Sequence, residues 1–418
     1  SSSATTLGDV LKQIKYGIYA EPNYQAKGIP FLRALNLKEY GIEDEILNLA
    51  ESVSDEVKNY LLKEGDVLIV RSGAGVGDVG LITTEFVGAT FGSYTILLRV
   101  DNKRISPEYL YAFLKSKFGR IQTERLSRGA AQPNLNIPMI KSIKIPLTSS
   151  SFQSHIESLV RTAHEKRKEA QRKLQEAEEI LEKELGWREL ELNHDKAFEA
   201  SFSHLERRFD PEYFKPRYEK IKEVLLLKDA KSLSEAVKVI TKRADFRKTP
   251  DKTIKYVAIA DVDPESSQIV SYTEMPAYQA PSRATYEIRE GYILTATSGN
   301  STGTKRHASC FVTAKEDGFI CTNGLVPLQP KEDTEPLYLL FYLKSPFFLE
   351  QVKRELTGAA IPAISLEDLK QVLVYLPESA IQKEIAKLVE MSNHLRTESR
   401  NLIEQAKKEV EKMIERYS

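Results

Sequence analysis

Residues 61–73 read LLKEGDVLIVRSG, and residues 287–299 read EIREGYILTATSG. Each has a Glu-Gly turn, then a hydrophobic run, then Ser-Gly, and the offset is 226 residues. Working outward, PEYLYAFLKS at 107–116 matches PLYLLFYLKS at 336–345, now at an offset of 229. RGAAQPNLNIPMIK at 128–141 matches TGAAIPAISLEDLK at 357–370 at the same offset. Upstream, LGDVLKQI at 7–14 echoes LSEAVKVI at 233–240. The half-chain is therefore duplicated. A period this long excludes a solenoid and points to two homologous domains. Only the region from about 187 to 231 lacks a counterpart.

Each half has one plan. Short runs such as 66–70 and 94–100 are β-like and bounded by Gly, Asn and Ser. A helix comes next, with Ser106 as the expected N-cap before Pro107, and Thr334 as the expected start in the second copy. Then come the Gly-Ala-Ala loop, a short strand and one long helix. No Pro interrupts 152–185 or 381–417, and Gly186 is placed to end the first helix.

In 4-3 steps the first long helix gives Ile156, Val160, Ala163, Arg167, Ala170, Leu174, Ala177 and Leu181. The second gives Ile385, Val389, Ser392, Arg396, Ser399, Ile403, Ala406 and Val410. This is a heptad seam in both copies. One column is small throughout: Ala163, Ala170 and Ala177, against Ser392, Ser399 and Ala406. Small residues let two backbones approach closely. Arg167 and Arg396 share one seam position, where a polar residue sets register. A two-column stripe is too narrow for a helix buried in its own domain. The two helices are therefore expected to pair with each other, antiparallel, as a rod roughly 50 Å long. The expected fold is α+β: two homologous mixed α/β domains separated by two long helices in an antiparallel coiled coil, with a pseudo-two-fold axis. Its segments are 1–150, 151–186, 187–379 and 380–418.

Composition narrows the function. Lys and Arg total 60, as do Asp and Glu, so the net charge is zero. This argues against a tail-driven nucleic-acid binder but not against a local basic surface. Two cysteines, Cys310 and Cys321, exclude a disulfide scaffold and a four-cysteine zinc module. No apolar run is long enough to span a membrane. The chain opens Ser-Ser-Ser, which reads as a processed or recombinant end, and shows no leader pattern. A soluble cytoplasmic setting is expected.

Catalytic motifs are missing. Gly75-Val-Gly-Asp-Val-Gly80 fits G-x-G-x-x-G, but residues 81–92 (LITTEFVGATFG) read as strand and turn rather than helix. Residues 299–305 (GNSTGTK) have the wrong spacing for a P-loop, and no H-E-x-x-H is present. Pro250-Asp251 starts no nuclease-type carboxylate cluster, and no Asn-Pro-Pro-aromatic tetrapeptide occurs. His155 and His164 are expected to be solvated on the charged helix. His307, beside Lys305 and Arg306, suits phosphate or base contact. The positive hints are polar loops at duplicated places. The first copy offers Tyr16, Tyr24, Arg33, Arg71, Ser72, Ser93, Tyr94, Gln132 and Asn134. The second offers Arg243, Thr297, Ser298, Asn300, Lys305, Arg306 and His307. Arg, Asn, Gln, Ser and Thr are the residues that read base edges and phosphates. A repeated frame with unlike loops suits two related sites that read different sequences.

The layout resembles the specificity (S) subunit of bacterial Type I restriction–modification enzymes. The paired 61–73 and 287–299 segments, the Gly-Ala-Ala loops at Gly129 and Gly358, the twin helices and the two long helices carry the resemblance. RRFDPEYFKPRY at 207–218 also looks like that family's entry into its second domain. The resemblance implies two target recognition domains, each reading half of a split double-stranded DNA site, with the coiled coil as a ruler between them. It implies a non-catalytic chain without its own cofactor. Two methyltransferase subunits and the restriction–translocase subunits would carry S-adenosylmethionine, ATP and Mg. The second copy departs from the first at Arg71 and Gln132, where it has Thr297 and Ile361. Two other classes stay open: a coiled-coil scaffold without DNA readout, and an enzyme using the GVGDVG loop.

Overall fold

A computed structural model describes residues 4–19, 24–43, 46–127, 133–186, 198–199 and 210–416. The chain divides into two compact units, Ser1–Glu169 with Leu395–Ser418, and Ala170–His394. The division falls inside each long helix, so each unit owns one half of both.

The first unit contains β1 (Leu11–Tyr16), β2 (Tyr24–Gln25), β3 (Ile29–Leu32), β4 (Leu47–Leu49), β5 (Val67–Val70), β6 (Val79–Leu81), β7 (Thr90–Phe91) and β8 (Thr95–Val100). These form two four-stranded sheets, ordered β1-β8-β5-β6 and β7-β3-β4-β2. Next come α1 (Pro107–Lys115), α2 (Lys117–Ser127), α3 (Ile137–Lys141) and the first long helix, α4 (Ser150–Leu185). The second unit adds α5 (Pro216–Leu227), β9 (Val237–Val239), β10 (Thr253–Val257), β11 (Thr273–Pro276), β12 (Ala284–Glu287), β13 (Ile293–Ala296), β14 (Ser309–Phe311), β15 (Ile320–Thr322) and β16 (Leu325–Pro330). Its closing helices are α6 (Pro336–Tyr342), α7 (Pro346–Glu355), α8 (Leu366–Gln371) and the second long helix, α9 (Ser379–Glu415). The fold is α+β, with mixed sheets and two long helices.

The duplication holds at the level of single hydrogen bonds. The first sheet of the second unit runs β9-β16-β13-β14, the same order as β1-β8-β5-β6. Tyr109 Oη donates to the Pro146 carbonyl at 2.8 Å, and Tyr338 Oη to the Tyr375 carbonyl at 2.6 Å. The Gln122 side chain bonds both main-chain groups of Lys144, and Gln351 does the same for Leu373. Gln153 Oε1 accepts from the Ser106 N–H at 2.8 Å, and Gln382 Oε1 from the Glu335 N–H at 3.0 Å. These glutamines spend their side-chain amides on strand and helix ends whose main-chain groups need partners.

The halves diverge in the second sheet. In each, one parallel pair recurs, β3 with β7 and β10 with β15. The fourth strand joins opposite edges: β2 beside β4 in the first unit, β12 beside β15 in the second. The unlike sequences of the two copies concentrate here.

Helix starts show one departure. Ser106 caps α1 by accepting from the Tyr109 N–H at 3.2 Å. Thr334 does not cap α6; Glu335 precedes Pro336, and Thr334 Oγ1 donates to the Ala236 carbonyl at 3.0 Å. Pro336 presets the first helical residue, so a side-chain cap is dispensable there.

The long helices are built into the unit cores. Ile156, Val160, Ala163, Ile403, Ala406 and Val410 share one cluster with Tyr109, Leu110 and Val10. Ala177, Leu181, Ile385 and Val389 share another with Tyr338 and Phe348, and Leu174 packs against it half-buried. The two long helices pair with each other as the heptad spacing implies, and each domain in addition packs on the same seam, which widens the expected two-column stripe. The helices run antiparallel within the first unit, where His155 pairs with Glu409 and Lys166 with Glu398. The small column makes the closest approach. Ser399 Oγ donates to the Ala163 carbonyl at 2.7 Å, and Ser392 Oγ to the Ala170 carbonyl at 2.8 Å. Arg167 ion-pairs with Glu43 and reaches the Tyr40 carbonyl. Arg396 is half-buried.

Candidate nucleic-acid interface

Strand register decides which loops share an edge. In the first unit Tyr16 lies opposite Ile96, Val70 opposite Thr95, and Ile69 opposite Val79. The chain leaving β1 and β5 and the chain entering β6 and β8 therefore meet at one end of the sheet. In the second unit Ala296 pairs with Leu325, and Thr295 with Ser309. The loops at 297–307 and 322–324 fall at the matching end, as does the segment after β9, where the Ile240 N–H donates to the Pro327 carbonyl.

At that edge of the first unit, Arg71 is the organising residue. Its main-chain N–H donates to the Tyr94 carbonyl, and its carbonyl accepts from the Leu135 N–H. Its guanidinium lies over the Tyr16 ring at 4.7 Å, and Nε donates to Asn134 Oδ1 at 3.4 Å. Tyr16 Oη accepts from the Ile137 N–H at 3.2 Å, which holds the platform. Ser72 bridges to Asn134 through the main chain. The Ser93 N–H donates to the Ile18 carbonyl, which seats Ser93 and Tyr94 beside the 17–19 turn. Stacking on Tyr16 fixes the guanidinium plane while the two terminal nitrogens stay unused among the described residues. Tyr94 is 59% exposed. Arg33 is half-buried, and Leu32 before it accepts from the Gly92 N–H. Tyr24 sits on β2 in the other sheet, beside the Phe31 ring. Gln132 lies outside the described residues.

Tyr19 belongs to this edge, although the sequence alone does not single it out. It is 90% exposed, one residue from the Ile18 bond that holds Ser93. The Tyr16-Gly-Ile-Tyr19 spacing after a strand is its only sequence signal.

The second unit presents different chemistry on the same frame. Thr297 occupies the Arg71 position: its N–H donates to the Gly324 carbonyl, and its carbonyl accepts from the Ile364 N–H. Thr297 is only 8% exposed, which corrects its placement as a base reader. Ser298 is half-buried and bridges to Ala363, whereas Asn300, Lys305 and Arg306 are exposed. His307 is also corrected. It is 1% exposed; Nδ1 accepts from the Gly303 N–H at 3.1 Å, so Nε2 is the nitrogen that donates to Thr295 Oγ1 at 2.8 Å. Burial, with Lys344 nearby, lowers its pKa to about 4, so it is a neutral core residue that ties the loop down. His164 is half-buried, with its Nε2 shielded from solvent, rather than solvated.

Arg243 is exposed beside β12, where the Ala244 N–H donates to the Thr285 carbonyl. Two exposed residues that sequence reasoning misses join it. Arg283 has its Nε on Tyr256 Oη at 3.1 Å, and the Asn323 N–H donates to the Arg283 carbonyl. Arg283 has no counterpart in the first copy's plan, so self-comparison passes over it.

The GVGDVG loop is a turn into β6 rather than into a helix. Gly77 adopts φ +90°, and Asp78 is held by Arg120 at 3.0 Å. Among the described residues no cluster of side chains is arranged to hold a metal, and no helix is long and apolar enough to cross a membrane. Cys310 and Cys321 are buried, and burial pushes both thiols well above their ordinary range.

Comparison with known proteins matches the family model described as type I restriction modification DNA specificity domain, over residues 4–175 and again over 228–411. A relative from Methanocaldococcus jannaschii, provisionally named as the MjaX type I restriction enzyme specificity subunit, is 27% identical over 158 residues. That match spans 37% of this chain and 37% of the relative, so little over a third of the relative's length is covered. Among solved structures, a Type I restriction–modification S subunit from M. genitalium aligns over 99% of this chain and 94% of its own, at 14% identity and TM-score 0.48. The HsdS subunit from Thermoanaerobacter tengcongensis aligns over 98% and 95%, at 16% identity and TM-score 0.32. With two copies of the family model covering most of its length, this chain belongs to the type I restriction modification DNA specificity domain family.

Proposed function

We propose that this chain is the DNA-reading subunit of a Type I restriction–modification complex, non-catalytic by itself. In this reading each unit recognises one half of a split duplex site through its loop edge. The paired long helices hold the unread spacing between the halves. The observation that carries it is the contrast at one frame position: Arg71, stacked on Tyr16 with its terminal nitrogens open, against buried Thr297 with Arg243, Arg283 and Asn323 nearby. A planar guanidinium held on an aromatic ring is preorganised for bidentate contact with guanine or with a phosphate. A second site built from other side chains on the same frame would read a different half.

The same reading assigns the partners. Two methyltransferase subunits and the restriction–translocase subunits dock on this frame in the cytoplasm, and they hold S-adenosylmethionine, ATP and Mg. The target adenine is flipped out of the duplex into a methyltransferase subunit. The test is genome-wide mapping of methylated adenines in cells with and without this gene. A bipartite motif that disappears with the gene is the expected result. Loss of a continuous motif, or no change, would favour a scaffold without DNA readout.

A further inference from the structure

The first unit carries a cleft of about 360 Å³ at the end of its sheet opposite the loop edge, where Gly65 precedes β5 and Leu81 and Ile82 leave β6. Its floor is the crossing of α1 and α4. Four carboxylates line it, from Glu64, Glu85, Glu108 and Glu165, against two cations, Arg161 and Lys168. Arg161 is already engaged by Glu108 at 2.8 Å, Glu157 at 2.9 Å and Glu64 at 3.4 Å. The lining therefore carries an excess of negative charge.

Two residues that line this cleft each have a buried atom with unused bonding capacity. Glu108 is 3% exposed; Arg161 holds Oε1, while Oε2 has no hydrogen-bond partner. His164 Nε2 is also buried without a partner, its ring 5.9 Å from the Tyr111 ring. Burial, reinforced by Arg167, lowers the His164 pKa to about 4, so this imidazole is neutral at pH 7. Burial also raises the Glu108 carboxyl above its usual range. Leaving such groups unpaired in the interior is costly.

The fold does not need them. At the repeat offset of 229 the second unit has Leu337 for Glu108, Leu340 for Tyr111 and Asn393 for His164. Leu337 and Leu340 simply pack in that unit's core. The same helix can therefore be built apolar, and a buried ion pair is commonly replaceable by hydrophobic residues. The Glu108, Tyr111 and His164 set is particular to the first half.

We propose that this cleft binds an organic cation through a primary ammonium or guanidinium group, with Glu108 Oε2 and His164 Nε2 as acceptors. The surplus carboxylates supply the counter-charge, and Leu81 and Ile82 supply an apolar wall for an alkyl stem. A free polyamine and a Lys or Arg side chain of a partner subunit share this chemistry.

The test titrates agmatine into the isolated chain, read by calorimetry and thermal shift, with NaCl at matched ionic strength as control. Glu108→Leu is the variant, because the second unit folds with leucine at this place, and His164→Asn is the second. Saturable agmatine binding that weakens at least about tenfold in Glu108→Leu is the expected result. Absence of saturable binding, or a response equal to NaCl or unchanged in both variants, would overturn the proposal. Repeating the titration on the complex with its methyltransferase subunits separates the sources. Binding retained there means a free cation, and binding excluded there means a partner side chain fills the cleft. The isolated-chain arm decides the proposal whether or not the DNA reading holds.

Discussion

Arg71 and Thr297 hold the same place in two copies of one frame, with the same main-chain bonds, and their side chains point to opposite uses. Arg71→Ala is expected to weaken binding to the cognate duplex by about 1–3 kcal/mol and to relax one half of the recognised site. Arg71→Lys should not restore it, because a point charge cannot reproduce a stacked fork. Binding titrations against duplexes varied in one half at a time would show this; equal loss on every duplex would make Arg71 a phosphate contact instead. Buried His307 and half-buried His164 behave differently. His164 and His307 both have pKa values lowered from 6.5 to about 4, chiefly by burial. The folded chain then binds fewer protons than the unfolded chain, so stability is full above pH 6.5 and falls as pH drops toward 4. Each can contribute up to about 3 kcal/mol across that window. Melting temperature measured from pH 7.5 to 4.5 should fall less steeply in His307→Gln, which lacks the titrating ring but starts less stable. Lys305 and Arg306 directly precede His307 in sequence and suggest a shared role, whereas the turn directs those two outward and the ring inward. Periodicity carries no information about the direction of a side chain in an irregular turn.

At the level of elements, heptad spacing identifies the small column, and geometry adds what the column does. Ser399 and Ser392 donate across to the carbonyls of Ala163 and Ala170 at 2.7 and 2.8 Å, a distance only small residues permit. Ala170→Leu places extra methylenes at a position with 0% exposure and is expected to cost about 1–3 kcal/mol. Thermal unfolding and a DNA footprint should both change; an unaltered pair of readings would remove the column from the interface. Gln153→Ala and Gln382→Ala should each cost about 1–2 kcal/mol, since each strands a helix-start N–H and a strand-side carbonyl. The shared strand order of the first sheet agrees with the duplicated hydrophobic runs. The fourth strand of the second sheet has no such signal, because β2 and β12 are short and fall, but for Glu287, between the matched stretches. Arg167 sits on the seam, which suggests a register device, but its partner Glu43 comes from a loop more than a hundred residues earlier.

For the whole molecule, the reading of one half-site per unit makes a strong demand. Replacing Arg243 and Arg283, or Lys305 and Arg306, should change recognition of only one half of the methylated motif. Change in both halves would contradict two independent readers. Because neutralised phosphates release counterions, affinity should fall with salt, and the slope should shrink by about one for each phosphate-contacting cation removed. Net charge of zero is compatible with this, since Arg243, Arg283, Lys305 and Arg306 are exposed at one sheet end of the second unit, while α4 and α9 carry mixed ion pairs. Self-comparison alone established two homologous domains and two helices with a shared seam, because buried faces impose spacing that any local pattern reveals. It also isolated Arg71, which lies in the repeated segment. Folding in three dimensions assigned the rest. Strand register brought Tyr16, Arg71, Tyr94 and Asn134 to one edge from four distant stretches, and packing turned His307 and Thr297 inward. The α1–α4 crossing assembled the Glu108 cleft from residues that one copy has and the other lacks. Proximity across the chain depends on which surfaces pack together, and no local pattern encodes that.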